Sequence, residues 1–275
     1  MIRAFRLEWL KLRNYKVFWV LLGMYLLALL VIASFGIFFL EWLKRQGADF
    51  DGLDPTIIPI YDFPDIWQNT TYLGSFLKVL LAFVVVISVN NDITYNTMRQ
   101  NIIDGISKKE FLMSKLALIF FLATISTLFL FTVGLVNGSI YSHIWEVKYI
   151  FAELEFFGAY FYDIFVFCVL AFLISLIIKK SGFVIIALAL YTLMFEPILG
   201  LVLENHPKLA DGIWPHLPAF FPIGSLNDLI SVPFPRYIFR EIIDYVPLSA
   251  IAISTGWLII YLTAIYYILV KRDLK

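Results

Sequence analysis

The stretch VFWVLLGMYLLALLVIASFGIFFL, residues 17–40, contains no Asp, Glu, Lys or Arg. As an α-helix rising 1.5 Å per residue, its 24 residues reach about 36 Å, more than the ~30 Å hydrocarbon core of a bilayer. Arg3, Arg6, Lys11, Arg13 and Lys16 stand just before it. A basic segment followed by an apolar run also opens secretory leaders, but their apolar region is only about 7–15 residues long. The longer run reads as a retained first span.

Five further apolar runs follow, at 72–90, 116–136, 156–178, 183–203 and 246–270. The first, third and sixth of the six runs carry no charge, and the others carry one each: Lys78, Asp163 and Glu196. Composition agrees, with 61% hydrophobic and 15% charged residues against about 25% charged in an average soluble domain. Lipid is therefore the expected solvent for most of the surface. The formal net charge of zero gives no support to a nucleic-acid partner. The single cysteine, Cys168, sits in an apolar run and reads as a packing residue.

Orientation follows from Lys and Arg, which are enriched in cytoplasmic loops. The N-terminal segment, the 91–115 connection (Arg99, Lys108, Lys109, Lys115), the 179–182 turn (Lys179, Lys180) and the tail (Lys271, Arg272, Lys275) hold 14 of the 21 basic residues. The opposite loops hold Lys44, Arg45, Lys148, Lys208, Arg236 and Arg240, with the acids Asp49, Asp51, Asp54, Asp62 and Asp65. Both termini are thus expected in the cytoplasm. The 204–245 loop contains Pro207, Pro215, Pro218, Pro222, Pro233 and Pro235, too many for a seventh span. It is expected to form short helices capping the span ends, with a re-entrant dip as the alternative.

Two segments carry more than topology. Ile2, Phe5, Trp9 and Leu12 recur at helical spacing among cations, which suits an amphipathic helix lying in the interface; topology anchoring is the alternative. In the 91–115 connection, Tyr95, Met98 and Ile102 mark one face of a short helix, Asp104-Gly105 stops it, and Ser107 with Glu110 forms a capping box for the next helix.

The stretch NDITYNTMRQNIIDGISKKEF, residues 91–111, resembles the cytoplasmic segment after the second span of type-2 ABC exporter permeases. An acidic residue (Asp92, where the family more often has Glu) precedes an Asn-Thr pair, then a basic residue, a Gly-Ile-Ser turn and a basic pair. The resemblance implies an all-α integral membrane fold, one permease domain of six transmembrane helices over 1–275. It adds an N-terminal interfacial helix and a short cytoplasmic coupling helix between spans two and three. It further implies an exporter half that alternates access, with ATP and magnesium held by a separate ABC ATPase subunit. The chain itself has no G-x-x-x-x-G-K-[ST] phosphate loop and no nucleotide-binding domain. A second permease copy, identical or related, is the other implied partner, in a bacterial cytoplasmic membrane. Asp92, Met98, Arg99, Ile102, Ile106, Lys108 and Lys109 are the implied coupling residues, although Met98, Ile102 and Ile106 could instead pack within the chain.

The rival readings are an ion-coupled transporter or channel and an intramembrane enzyme. His143, His206 and His216 all lie in outer loops, and no G-x-S-x-G or H-E-x-x-H occurs. Lys78, Asp163 and Glu196 each fall about 9–10 Å from the outer boundary of their runs, which predicts a mutually paired intramembrane cluster. The alternative is that Lys78 and Asp163 reach toward the headgroups.

Overall fold

A computed structural model describes residues 2–47, 59–144, 146–206, 212–233, 236–237 and 244–271. Asp49, Asp51, Asp54, Pro207, Lys208, Pro235, Arg240, Arg272 and Lys275 lie outside them, as do the side chains of Ile2, Phe5, Arg99 and Ile102. All regular structure among the described residues is helical. The order is α1 (Ile2–Arg13), α2 (Lys16–Arg45), α3 (Asp65–Ser75), α4 (Lys78–Thr94), α5 (Thr97–Ile103) and α6 (Lys108–Tyr141). There follow α7 (Val147–Ile150), α8 (Glu155–Ile178), α9 (Ser181–Leu190), a π-helical segment (Tyr191–Phe195), α10 (Glu196–Asn205), a 3-10 turn (Trp214–Phe220), α11 (Pro222–Asn227) and α12 (Leu248–Lys271).

Five stretches are long and apolar enough to cross a membrane: Lys16–Gly36, Lys108–Tyr141, Val147–Ile178, Ser181–Asn205 and Leu248–Lys271. The chain thus has the make-up of an integral membrane protein. The outer face of α2 exposes Val20, Met24, Leu27, Val31 and Phe35, a surface that water would not tolerate and lipid does.

The second predicted span is not one helix. α3 and α4 meet at a 47° bend, so the continuous 72–90 run is corrected to a broken pair. The break follows Gly74-Ser75, where the Ser75 hydroxyl donates to the Tyr72 carbonyl at 2.7 Å and Gly74 lies against Tyr160 and Leu130. The fifth run is interrupted too. Pro197 lacks an N–H and its ring displaces the carbonyl a turn earlier, and the π-helical segment just ahead of it absorbs the misfit.

α8 is the axis of the bundle and packs on α3, α4, α6, α9, α11 and α12. Phe156, Tyr160, Ile164, Phe167, Val169 and Phe172 on it are fully buried. α6 carries Gly134 and Gly138 four residues apart, the small-residue spacing that lets neighbours press close in lipid. A Cβ at Gly134 would stand 2.8 Å from the Trp67 ring, and one at Gly138 would overlap Phe63. Trp67 in turn packs against Phe131 and Phe157.

The first and last described helices, α1 and α12, bring the chain's described ends to one end of the bundle. The Lys108 amine donates to the Val270 carbonyl at 2.9 Å, and α1 packs on α6. The expected cap of short helices on the span ends is corrected in one part. Glu196, which contacts α11, is nine residues before the end of α10, so α11 lies about 13 Å inside that level, lodged against α8, α10 and α12.

Candidate functional site

Buried charge collects at two levels. The first is at the end bearing the termini. α4 ends at Thr94 with Tyr95 as its cap, and Asn96 takes a left-handed conformation (φ 55°) that turns the chain into α5. Gly105 (φ 91°) makes the second reversal, and the capping box then starts α6: Glu110 N–H donates to Ser107 Oγ at 3.2 Å and Ser107 N–H donates to Glu110 Oε2 at 2.9 Å.

Underneath this double reversal lies a knot of two acids and two amines. Lys115 on α6, 1% exposed, ion-pairs with Glu8 of α1 and Asp92 of α4 and donates to Ser88 Oγ at 2.9 Å. Lys11 donates to Asp92 Oδ1 at 3.0 Å, as does the Thr97 hydroxyl at 2.6 Å, and Ser88 Oγ donates to Glu8 Oε1 at 3.0 Å. The formal charges cancel, which is what a buried set requires. Asp92, assigned to partner coupling from the resemblance, thus points into the chain and binds α5, α6 and α1 together.

The predicted docking face also changes. Met98 and Ile106 are buried, at 4% and 7% exposure, and are corrected from docking residues to packing residues. Tyr95 belongs to the end of α4 and does not share a face with Met98. Among the described side chains of this segment, Tyr95 and Ile103 are turned outward, at 70% and 74% exposure. Lys109 is exposed, and Lys108 reaches the end of α12.

The second level is deep in the bundle. Lys78 donates to Asp163 Oδ1 at 2.8 Å and to Asn227 Oδ1 at 3.2 Å, with its amine 5.6 Å from the centre of the Phe167 ring. Both partners of the pair are at most 4% exposed, so neither reaches for headgroups. Glu196 is not part of this pair. Its Oε1 accepts the backbone N–H groups of Ile223 and Gly224, each at 2.6 Å, at the start of α11. The expected three-charge cluster is therefore corrected to one ion pair and a separate carboxylate. Two orphan donors at the start of α11 compete for that carboxylate more effectively than a distant amine does.

Other polar groups were not foreseen. Tyr25, Ser126 and Tyr160 share hydroxyl hydrogen bonds between α2, α6 and α8. Nearer the long loops, Arg236 ion-pairs with Asp65, and Asn69 donates to the Tyr237 hydroxyl at 2.8 Å, while burial holds that hydroxyl above its ordinary pKa. Burial, with the Glu204 charge adding to it, likewise raises Asp228 just after α11. Glu8 had one signal in the sequence: it is the sole acid among the first sixteen residues and sits four before buried Leu12, on the inward face. No group of three or more His, Cys, Asp or Glu side chains suited to a metal ion occurs among the described residues. Neither a protein-family model nor a curated protein sequence matches the chain.

Proposed function

We propose that this chain is the membrane-spanning permease subunit of an ABC-type exporter, with six spans, the second one bent, and both termini cytoplasmic. The observation that carries the reading is the 95–107 segment. A bare connection between two spans needs only the few residues used at 179–180, whereas here a separate short helix intervenes, the segment exposes Tyr95 and Ile103, and the Glu8–Lys115–Asp92 knot braces it from beneath. A braced, outward-facing element suits reception of force from a cytoplasmic ATPase that supplies ATP and magnesium. Such a push would reach α4, α6 and α1 together, because one amine joins all three. Two copies, or one copy with a related permease, would complete the pathway in a bacterial cytoplasmic membrane.

The test is co-purification of an ABC ATPase with the tagged chain. Ile103→Asp is expected to abolish it while leaving the amount of membrane-inserted protein unchanged. Retained ATPase in that variant would place the docking surface elsewhere.

The broken α3–α4 pair and the interrupted α9–α10 run favour a second reading, an ion-coupled transporter, whose binding sites form at discontinuous helices. Ion-driven transport by the purified chain alone in liposomes would select it.

A further inference from the structure

α1 has an inward side and an outward side. Glu8 and Leu12, four residues apart, are buried, and Trp9 packs edge-on against Phe121 of α6. Arg6, Leu10 and Arg13, spaced by four and then three residues, form a stripe on the opposite side, and all three are exposed. The short turn Asn14-Tyr15 follows, and α2 begins at Lys16. The Trp19 indole N–H donates to the Arg13 carbonyl at 3.0 Å, and its ring meets Trp9 edge-on at 6.4 Å between centres, so the corner between the helices is fixed. Lys16, Trp19 and Val20 share one side of α2 and are exposed as well.

The exposed charge at this corner is of one sign. Glu8, the only acid among the first sixteen residues, is turned inward onto Lys115, and Arg6, Arg13 and Lys16 have no ion pair among the described residues. Lys16 is also where the apolar stretch Lys16–Gly36 begins, and from Val20 its exposed side runs on through Met24, Leu27 and Val31. A partner that covers both parts must bring negative charge to the corner and long apolar chains to α2. An acidic protein segment meets only the first demand. A zwitterionic lipid meets the second but carries a cation of its own toward Arg13 and Lys16. An anionic phospholipid meets both: guanidinium and ammonium groups suit its phosphate oxygens, and an indole is at home at the level of its head group.

We infer that the α1–α2 corner is a binding site for an anionic phospholipid of the surrounding bilayer. Its head group lies at Arg13 and Lys16, its acyl chains follow Trp19 and Val20 along α2, and Arg6 extends the attracting field along α1. The site rests on the membrane make-up of the chain and is independent of the permease reading.

Quenching of Trp19 tests it, since bromine quenches an adjoining indole. The full-length chain is reconstituted in dioleoylphosphatidylcholine vesicles containing either phosphatidylglycerol or phosphatidylcholine brominated near the head-group end of its acyl chains. The difference between wild type and Trp19→Phe isolates the signal of this residue. Brominated phosphatidylglycerol should be enriched at Trp19 by about fivefold or more over brominated phosphatidylcholine. The double variant Arg13→Gln, Lys16→Gln should bring that ratio to about one, whereas Lys179→Gln, Lys180→Gln should leave it unchanged. Equal quenching by the two lipids in wild type, an unchanged ratio in the Arg13, Lys16 variant, or an equal loss in the Lys179, Lys180 variant overturns the site. If the Arg13, Lys16 variant is not monodisperse, Lys16→Gln alone decides: a fall of about twofold or more supports the site and an unchanged ratio overturns it. Binding of poly-L-glutamate that depends on Arg13 and Lys16, without any lipid preference, would assign the corner to an acidic protein and overturn the lipid.

Discussion

Glu196 and Lys78 hold opposite ends of the same six-residue helix without touching one another. The carboxylate receives the first N–H groups of α11, and the amine takes the side chain of Asn227, its last residue. Acid at the start and cation at the end is also the sense that the helix dipole favours.

Lys78→Met leaves Asp163 buried without a counter-charge and is expected to destabilise the protein by about 3–5 kcal/mol. The double variant Lys78→Met, Asp163→Leu should recover most of that loss, read as the melting temperature of the purified protein in detergent. Exchanging the charges of Lys78 and Glu196 should restore nothing, because their contacts are separate. A double variant no more stable than the single one would show that the two residues are not energetically coupled.

Lys115→Met should cost about as much, since it strips the buried amine from both Glu8 and Asp92. It carries a second signature. Without the Lys115–Glu8 ion pair, α1 loses its charged tie to α6 and keeps those to α4 through Ser88 and Asp92, so tryptic cleavage after exposed Arg13 should accelerate in the folded protein. Unchanged cleavage would mean that those ties and the packing of Trp9 on Phe121 suffice to hold α1 in place.

Gly138→Ala and Gly134→Ala should each destabilise by about 1–3 kcal/mol through overpacking, with Gly138 the worse because its new methyl meets the Phe63 ring directly. Gly158→Ala, with open space at its Cβ, is the control. Equal melting temperatures for all three would argue against close contact between α6 and the start of α3.

Cysteines placed at Lys109 and Lys180 should react with a membrane-impermeant maleimide from one side, and one placed at His143 from the other. Cys168 is fully buried, so the wild-type chain provides a silent background. Labelling of positions 109 and 143 from the same side would show that α6 does not cross the membrane.

The apolar runs were legible because a bilayer sets a length and a chain either meets it or does not. Caps were legible because Ser107 and Glu110 act within four residues of each other. What the sequence concealed was pairing across distance. Lys115 looked like one more loop cation because Glu8, 107 residues away, gives no local sign that it will turn inward. Lys78, Asp163 and Glu196 were placed by counting residues along their runs, but such a count leaves the angle around each helix unspecified, and backbone donors of a loop helix were not weighed as competitors. The bend at Gly74-Ser75 escaped for the opposite reason: the pair was visible, yet an apolar run long enough to cross gave no reason to divide it.

The Lys78–Asp163 pair also constrains how the protein can be made. Asp163 follows Lys78 by 85 residues, so at ~5–20 residues per second the ribosome needs roughly 4–17 s to deliver the counter-ion. Asn227, a further partner, comes 149 residues after Lys78. During that interval a hydrophobic segment with an uncompensated amine must wait at the insertion machinery or sit shallow, and it can settle to its final depth only when α8 emerges beside it. The bend between α3 and α4 falls immediately before this lysine, where a segment parked in two stages would be jointed.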